Sequence, residues 1–332
     1  MPEPLVPAAL AFTAEGTPWS AAYGDVYHSS AGGPAQARHV FLAGTGLPER
    51  WRGRDRLVVL ETGFGLGLNF LATWQAWRSD PARCTRLHYV SIEKHPFARA
   101  DLEDAHRRHA EFAPLATQLH AQWPLLVPGL HRLTFDDEYV VLTLAFGDAA
   151  QLLPQLRLRA DALYLDGFAP AKNTELWSPG LMKALARLAA PDARAATWSA
   201  AREVRDALSS AGFAVATRPG FGPKREMTVA QLTARGRRAA PRAAPSERRA
   251  LVVGGGIAGA AVAERLARRG WHIVLVERGA EVAGAASGNH AGSFHPVVTA
   301  DDSRLARLTR AATLHARRHW DALDAAGHAL RR

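Results

Sequence analysis

The 332-residue chain has little of what extracellular, metal-binding or membrane proteins need. Its single cysteine, Cys84, excludes a disulfide framework and a cysteine-rich zinc or iron–sulfur site. The histidines are scattered without a tight metal-ligand spacing, so we expect no metal. No uninterrupted apolar run approaches the roughly 20 residues of a membrane span, and the amino terminus lacks the basic segment of an export signal. These absences predict a cytoplasmic protein without a membrane span.

Lysine is also scarce, so arginine supplies most of the net charge of +10. A positive balance suits a polyanionic partner such as a nucleic acid. About half of the excess lies in residues 235–249, which hold six arginines and one glutamate. A general arginine and alanine bias of the sequence is the alternative explanation, and charge by itself leaves both open.

Residues 235–249 also mark a domain boundary. This segment has no aromatic or β-branched residue and no apolar period, which is typical of a linker. We therefore predict a first domain over residues 1–234 and a second over residues 250–332. Residues 1–50 fit neither helical nor strand patterning as a whole, and we interpret them as an irregular or hairpin extension.

Within the first domain, short strand-like runs alternate with segments long enough for helices. The runs are residues 57–60, 87–92, 139–144, 162–165, 195–198, 214–217 and 227–232. This alternation predicts an α/β fold with a doubly wound, mostly parallel sheet. The last two runs are joined by too few residues for a crossover helix, so we expect them to pair antiparallel. Such an ending is typical of a class I methyltransferase sheet.

A glycine-rich turn follows the first strand-like run. Glu61 ends the run, and Gly63, Gly65 and Gly67 lie between it and a helical segment. Glycines allow a tight turn and a close backbone approach, so the free N–H groups of the helix can face a ligand. Glu93 ends the next run and is placed to bind both hydroxyls of a ribose. This order predicts a site for an adenosine-containing cofactor.

Two later motifs bear on the identity of that cofactor, since the turn alone suits either a dinucleotide or S-adenosylmethionine. Asp148 follows the third run, where a carboxylate can bind the adenine amino group or cap a helix. Asp166 and Phe168 follow the fourth run, at the carboxyl edge of the sheet, where ligands bind. An acid and an aromatic there match the place where amino-methyltransferases hold the nucleophilic nitrogen. An Asp-Gly turn with a packing phenylalanine is the alternative.

The second domain opens with another strand, glycine-rich turn and helix. Gly254, Gly256 and Gly259 have the spacing that admits a pyrophosphate, and Glu277 ends the next strand-like run. This is the fingerprint of a dinucleotide-binding βαβ unit. It predicts that residues 250–332 begin an FAD-binding Rossmann domain.

Several motifs are long enough to be specific to a family. They lie at residues 15–18, 25–27, 39–42, 61–70, 122–124, 165–173, 177 and 220–227. They resemble the bifunctional tRNA 5-methylaminomethyl-2-thiouridine biosynthesis family, MnmC, over nearly the whole chain. The resemblance implies an FAD-dependent domain that removes a carboxymethyl group from a modified uridine of tRNA. It also implies a methyltransferase domain that uses S-adenosylmethionine to methylate the amine so exposed.

The resemblance also implies roles for individual residues. Asp166 is the predicted catalytic residue, which accepts the N–H bonds of the amine and orients its lone pair. The predicted S-adenosylmethionine ligands are Glu61, Gly63, Gly65, Gly67, Glu93 and Asp148. The predicted FAD ligands are Gly254, Gly256, Gly259, Glu277 and Ser287, the last of which lies in a loop similar to the second flavin-contacting loop of amino-acid-oxidase-like enzymes. The predicted substrate-binding residues are Asp25, Tyr27, Phe168, Lys172, Lys224 and Arg225.

Three questions stay open at this point. The three basic substrate-binding candidates suit tRNA phosphates, and a solvated surface is the alternative for each. The flavin fold needs more strands than residues 250–332 supply, so we expect the oxidase to be incomplete, and FAD binding stays undecided. A methyltransferase of small-molecule amines and a non-catalytic tRNA-binding remnant are the other functions compatible with the motifs.

Overall fold

A computed structural model of the chain describes residues 4–233, 248–289 and 292–325. Its described residues form two compact units, one with residues up to 233 and from 298 onward, the other with residues from 248 to 297. Residues 235–247 of the predicted linker lie outside the described residues, and the predicted domain boundaries stay predictions. Among the described residues, no helix is long and apolar enough to cross a membrane.

The first unit contains two sheets. Its strands are β1 (Ala11–Phe12), β2 (Pro18–Ser20), β3 (Asp25–Val26), β4 (Arg56–Thr62), β5 (Arg86–Glu93), β6 (Gly129–Phe135), β7 (Val140–Phe146), β8 (Ala160–Leu165), β9 (Ala189–Thr197), β10 (Phe213–Pro219) and β11 (Glu226–Leu232). Strands β1 to β3 form a small antiparallel sheet within the first 50 residues. The other eight form one sheet in the order β10-β11-β9-β8-β4-β5-β7-β6.

Helices cover both faces of the large sheet. They are α1 (Gly33–Gln36), α2 (Leu68–Ser79), α3 (Arg99–His106), α4 (Ala113–Ala121), α5 (Ala149–Leu152), α6 (Pro179–Leu188) and α7 (Arg202–Ser210), with a π-helix at Ala37–Ala43. Side chains of a strand alternate between the faces of its sheet. Along β8, Tyr164 packs in the cluster with α2 to α4, whereas Leu163 and Leu165 pack in the cluster with α6 and α7. The sheet is therefore the middle of three layers.

The pairing of the large sheet confirms the predicted fold class. Strands β7, β5, β4, β8 and β9 are parallel neighbours. Strand β11 runs antiparallel to β9, and β10 pairs antiparallel with β11, as the short connection between them predicts. A mostly parallel sheet with this antiparallel ending is the predicted class I methyltransferase arrangement.

Strand β6 was not predicted. It pairs antiparallel with β7 at the edge of the sheet. Its buried positions are His131, Leu133 and Phe135, and the residues between them are more exposed. A histidine in one of the three buried positions hides the alternation of apolar and polar residues by which such an edge strand is recognised.

The second unit is the predicted βαβ unit. Strands β12 (Arg249–Val253) and β13 (His272–Val276) pair in parallel, and helix α8 (Ile257–Ala267) connects them. Leu251 is 64% exposed and Val253 is 80% exposed, whereas Val252 between them is buried, so strand β12 buries only one of its two faces.

The last helix of the described chain, α9 (Arg304–Ala325), is part of the first unit although its residues lie in the predicted second domain. It runs beside β6, and the Arg307 guanidinium donates a 2.8 Å hydrogen bond to Oε1 of Gln155.

Candidate active site

The candidate active site lies at one edge of the large sheet. Four parallel strands end there, β4 at Thr62, β5 at Glu93, β7 at Phe146 and β8 at Leu165. A cavity of about 690 Å³ opens beside these ends. Ligands of doubly wound sheets bind at the carboxyl ends of the strands, so this is the expected position for a cofactor.

The glycine-rich loop, residues 63–67, forms one wall of the cavity between β4 and α2. Gly63 has a φ of +79°, and a Cβ there would lie 3.1 Å from the backbone oxygen of Asp166. A glycine at this position therefore lets the chain leaving β4 pass close to the chain leaving β8. Gly65 has a φ of +50° and also lines the cavity. Gly67 is the N-cap residue just before helix α2 and is not part of the cavity wall.

Glu93 lies on the cavity wall and holds the glycine-rich loop. Its Oε2 accepts a 2.8 Å hydrogen bond from the backbone N–H of Gly65, and its Oε1 accepts a 2.7 Å bond from that of His95. Each carboxylate oxygen can accept more than one bond, so capacity for ribose hydroxyls remains. The geometry fits the predicted ribose role.

We expect Glu93→Ala to weaken S-adenosylmethionine binding by about 1–3 kcal/mol, because hydrogen bonds to a charged acceptor and the support of Gly65 are lost together. Calorimetric titration of the cofactor measures this change. Glu103→Ala is a suitable control, since Glu103 pairs with Arg99 on the exposed side of α3. A variant that loses tRNA affinity and keeps its cofactor affinity would contradict the ribose assignment.

Asp148 caps a helix and lines the cavity, so its position is compatible with both of the roles that the sequence allows. Its Oδ1 caps α5 by accepting a 2.8 Å bond from the N–H of Ala150, and the residue also lines the cavity. Its Oδ2 lies 3.0 Å from Nζ of Lys94, a partner that the sequence motifs do not identify. Although burial raises the pKa of Asp148, the hydrogen bond from Lys94 holds this pKa below its ordinary value.

Asp166 lies half-buried at the wall of the same cavity. Its Oδ2 accepts a 2.7 Å hydrogen bond from the side-chain amide of Asn69, and its Oδ1 accepts a 2.8 Å bond from the backbone N–H of Gly167. Burial raises the pKa of Asp166 to about 7. The carboxyl is therefore a fixed group that changes protonation state near neutral pH.

Glu61 lies behind the glycine-rich loop and not on the cavity wall. It is fully buried, where Oε1 accepts a 2.9 Å bond from Asn69 and Oε2 accepts a 2.7 Å bond from the Ser91 hydroxyl. Burial, together with the nearby charge of Asp166, raises the pKa of Glu61 well above its ordinary value. The amide of Asn69 thus connects Glu61 to Asp166, so we infer that Glu61 supports the site without touching the cofactor.

Aromatic rings form another part of the cavity wall. Phe168 stacks on Tyr23 with 4.4 Å between ring centroids, and Tyr27 meets its edge at 5.2 Å. The carboxylate of Asp25 accepts a 2.8 Å bond from the N–H of Ala169 and so holds the small sheet against the end of β8. Tyr23 was not predicted. It lies two residues before Asp25 and four before Tyr27, and the alternation along this segment is the signal that could have identified it.

The three predicted basic residues lie in different places. Lys172 donates a hydrogen bond to the carbonyl oxygen of Gly24, so it ties the small sheet to the β8 loop. Lys224 lines the cavity, with its ammonium 5.0 Å from the ring centre of Trp198. Arg225 is exposed and lies outside the cavity wall. Of the three, Lys224 is therefore the one placed at the mouth of the site.

The glycine-rich turn of the second unit has the geometry of a dinucleotide site. The backbone N–H of Gly255 donates a 2.7 Å bond to Glu277, and the Ser287 hydroxyl accepts a 3.1 Å bond from the N–H of Ile257. A Cβ at Gly256 would lie 2.8 Å from the Ser287 hydroxyl, and one at Gly259 would overlap the carbonyl oxygen of Gly254. These positions fit the close helix–strand packing that a bound pyrophosphate requires.

No metal site accompanies these two turns in the part of the chain that the structure describes, since no three histidine, cysteine, aspartate or glutamate side chains are grouped to hold an ion.

Comparison with known families identifies the class of both segments. Residues 110–233 match the family described as S-adenosyl-L-methionine-dependent methyltransferase, and residues 249–331 match the family described as FAD dependent oxidoreductase. A crystal structure described as MNMC2 from Aquifex aeolicus has a TM-score of 0.55 and 26% identity, covering 70% of this chain and 72% of that one. The first segment therefore has the fold of an S-adenosylmethionine-dependent methyltransferase, and the second is similar to part of an FAD-dependent oxidoreductase domain.

Longer matches point to one family in particular. The protein of Azoarcus sp. (strain BH72) is 60% identical over 99% of this chain and 51% of its own length. The protein of Burkholderia mallei (strain SAVP1) is 53% identical over 100% of this chain and 52% of its own length. Both are named tRNA 5-methylaminomethyl-2-thiouridine biosynthesis bifunctional protein MnmC. The predicted resemblance to the MnmC family is therefore confirmed, and the chain spans about half the length of the curated relatives it matches.

Proposed function

We propose that this chain transfers a methyl group from S-adenosylmethionine to the aminomethyl nitrogen of 5-aminomethyl-2-thiouridine at the wobble position of tRNA. The observation that carries the proposal is the position of Asp166. Its carboxyl shares one cavity with the glycine-rich loop and with the ring of Phe168. The names of the Azoarcus and Burkholderia relatives support the choice of substrate.

The reaction forms a nitrogen–carbon bond and breaks a sulfur–carbon bond, and S-adenosylmethionine supplies the methyl group as a sulfonium. The amine has to be neutral to attack, yet an aminomethyl group is largely ammonium at pH 7. Asp166 accepts the N–H bonds of this group and takes the proton from the nitrogen. Its pKa of about 7 suits a general base at neutral pH. Asn69 and Gly167 hold the carboxylate in one orientation, which keeps the lone pair aligned with the methyl group.

The aromatic wall serves the rest of the nucleotide. Bases that leave their stack are commonly held on aromatic side chains. Tyr23, Tyr27 and Phe168 form a continuous aromatic surface beside Asp166. We propose that this surface holds the wobble uridine and keeps bulk water from the amine.

Lys224 is the proposed contact to the tRNA backbone at the mouth of the cavity, with Arg225 beside it in the chain. Contacts from basic side chains to phosphates position a nucleic acid without reading its sequence. Lys172 is better explained as a support of the small sheet. Because the proposed substrate is tRNA, we expect the protein in the cytoplasm.

Incubation with radiolabelled S-adenosylmethionine and two forms of tRNA tests the proposal. We expect this 332-residue chain to methylate tRNA that carries aminomethyl-uridine and to leave carboxymethylaminomethyl-uridine tRNA unchanged, even when FAD is added. The exposure of Leu251 and Val253 on one face of β12 supports the expectation that the flavin site is incomplete. Formation of aminomethyl product from the carboxymethylaminomethyl form would contradict this expectation.

Ionic strength separates the proposed substrate from a free amine. Binding of tRNA is expected to weaken steeply as salt is raised, because phosphate contacts release counterions. Methylation of small amines that is independent of tRNA and of salt would favour the small-molecule alternative. A chain that binds tRNA and does not bind S-adenosylmethionine would favour the non-catalytic one.

A further inference from the structure

A buried histidine contacts the glycine-rich loop from behind. His106 ends helix α3 and is 4% exposed. Its Nε2 lies 2.7 Å from the carbonyl oxygen of Leu66, which stands between Gly65 and Gly67 in the loop. The cavity ligand would lie on the other side of this loop, so His106 is not itself on the cavity wall.

The partners of His106 determine where its proton is. A carbonyl oxygen only accepts, so Nε2 of His106 carries the hydrogen and donates it to Leu66. In the neutral ring Nδ1 is then an acceptor, and it lies 2.8 Å from Nε2 of His120, near the end of α4. The two rings are nearly coplanar, at 14°. His120 therefore donates to His106, and His106 donates to the loop.

The neutral state of His106 agrees with this chain of donors. Burial lowers the pKa of His106 to about 4, so the ring is uncharged at neutral pH. The chain runs from α4 through α3 to the loop, and it complements the bond that Glu93 accepts from Gly65. The loop is thus held from two sides, at consecutive residues, although its own backbone is glycine-rich and intrinsically free.

We propose that His106, held in place by His120, is a positioning residue that fixes the glycine-rich loop in the shape that binds S-adenosylmethionine. A loop that has to be ordered by its ligand binds more weakly than one ordered in advance. This proposal rests on cofactor binding by the methyltransferase class and does not depend on the proposed tRNA substrate.

The test compares three variants by calorimetric titration with S-adenosylmethionine. His106→Leu removes the donor to Leu66, and we expect the Kd to rise about 10-fold or more. His106→Gln keeps a side-chain N–H that can reach the same oxygen, and we expect its Kd to stay within about 3-fold of the parent. His131→Leu is the matched control. His131 is 1% exposed, and its Nε2 lies 2.8 Å from the carbonyl oxygen of Val127. It belongs to β6, a strand that does not line the cavity.

The control separates loop positioning from loss of stability. We expect His131→Leu to lower the thermal unfolding temperature and to leave the Kd unchanged. Nitrogen-15 NMR of the imidazole rings of the unmodified protein is expected to show the Nε2–H tautomer for His106. Four results would each overturn the proposal. Three concern affinity: parent-like binding in His106→Leu, an equal loss in His131→Leu, or a folded His106→Gln that binds as weakly as His106→Leu. The fourth is the Nδ1–H tautomer of His106 in the NMR spectrum. Because no arm uses tRNA, failure of the substrate proposal would leave these results unaffected.

Discussion

Replacement of Asp166 by alanine is expected to lower the rate of methyl transfer by about 10²-fold or more, with little change in affinity for S-adenosylmethionine. The variant loses the group that orients the amine and accepts its proton. The loop is held by other residues, Glu93 and His106, so the cofactor site should remain formed. Single-turnover methylation of tRNA and calorimetric titration measure the two quantities.

The pH profile of the parent enzyme makes the role of Asp166 more specific. Since the carboxylate is the active form and its pKa is about 7, we expect the rate of the parent to fall as pH drops below 7. Asp166→Ala should lack this step. A parent profile without a titration near pH 7 would argue that Asp166 orients the amine and that another group takes the proton.

Stability separates a catalytic carboxylate from one that only forms a turn. The pKa of Asp166 is raised in the folded state, so the folded chain binds more protons than the unfolded chain between about pH 4 and 7. Stability from this group therefore falls as pH rises through that window, and removing it should not lower the free energy of unfolding at pH 7.5. Asp161→Ala is the control, because Asp161 lies at the opposite end of β8 and accepts a 2.8 Å bond from Val58. It should lower stability and leave the rate per folded molecule unchanged.

The parts of the site that could be predicted are those encoded locally. Glycines at fixed spacing after an apolar run, and acids at the ends of later runs, predict a ligand edge because parallel strands bring their carboxyl ends together. Gly63, Glu93 and Asp166 come together at the cavity for this reason. The antiparallel pairing of β10 and β11 could also be predicted from the sequence, because the connection between them is too short for a helix.

The parts that could not be predicted depend on partners distant in the chain. Asn69 acts by joining Glu61 to Asp166, which lies 97 residues away. Lys172 has the positive charge that a phosphate contact needs, but its ammonium group donates a hydrogen bond to the carbonyl oxygen of Gly24, 148 residues away in the chain. Glu61 has the spacing of a cofactor ligand, and only the packing of Asn69 and Ser91 against it shows that it faces the interior.

Replacement of Gly65 by aspartate is expected to abolish S-adenosylmethionine binding, with a rise in Kd of more than about 100-fold. Gly65 has a φ of +50°, which side chains rarely adopt, and a Cβ there would lie 3.4 Å from the ring of Tyr27. The new carboxylate would also stand beside Glu93, whose Oε2 accepts the bond from the Gly65 N–H. Shape and charge of the cavity wall would change together.

The matched control for this variant is Gly53→Asp. Gly53 has a similar φ of +70°, but a Cβ there meets no atom within 4 Å. Both variants therefore carry the same backbone strain and the same added charge, and only Gly65 lines the cavity. Calorimetric titration should show parent-like affinity for Gly53→Asp, while Gly65→Ala, which adds a methyl group without charge, should fall between the parent and Gly65→Asp. Parent-like affinity in Gly65→Asp would remove the loop from the cofactor site, and an equal loss in both aspartate variants would assign the effect to strain alone.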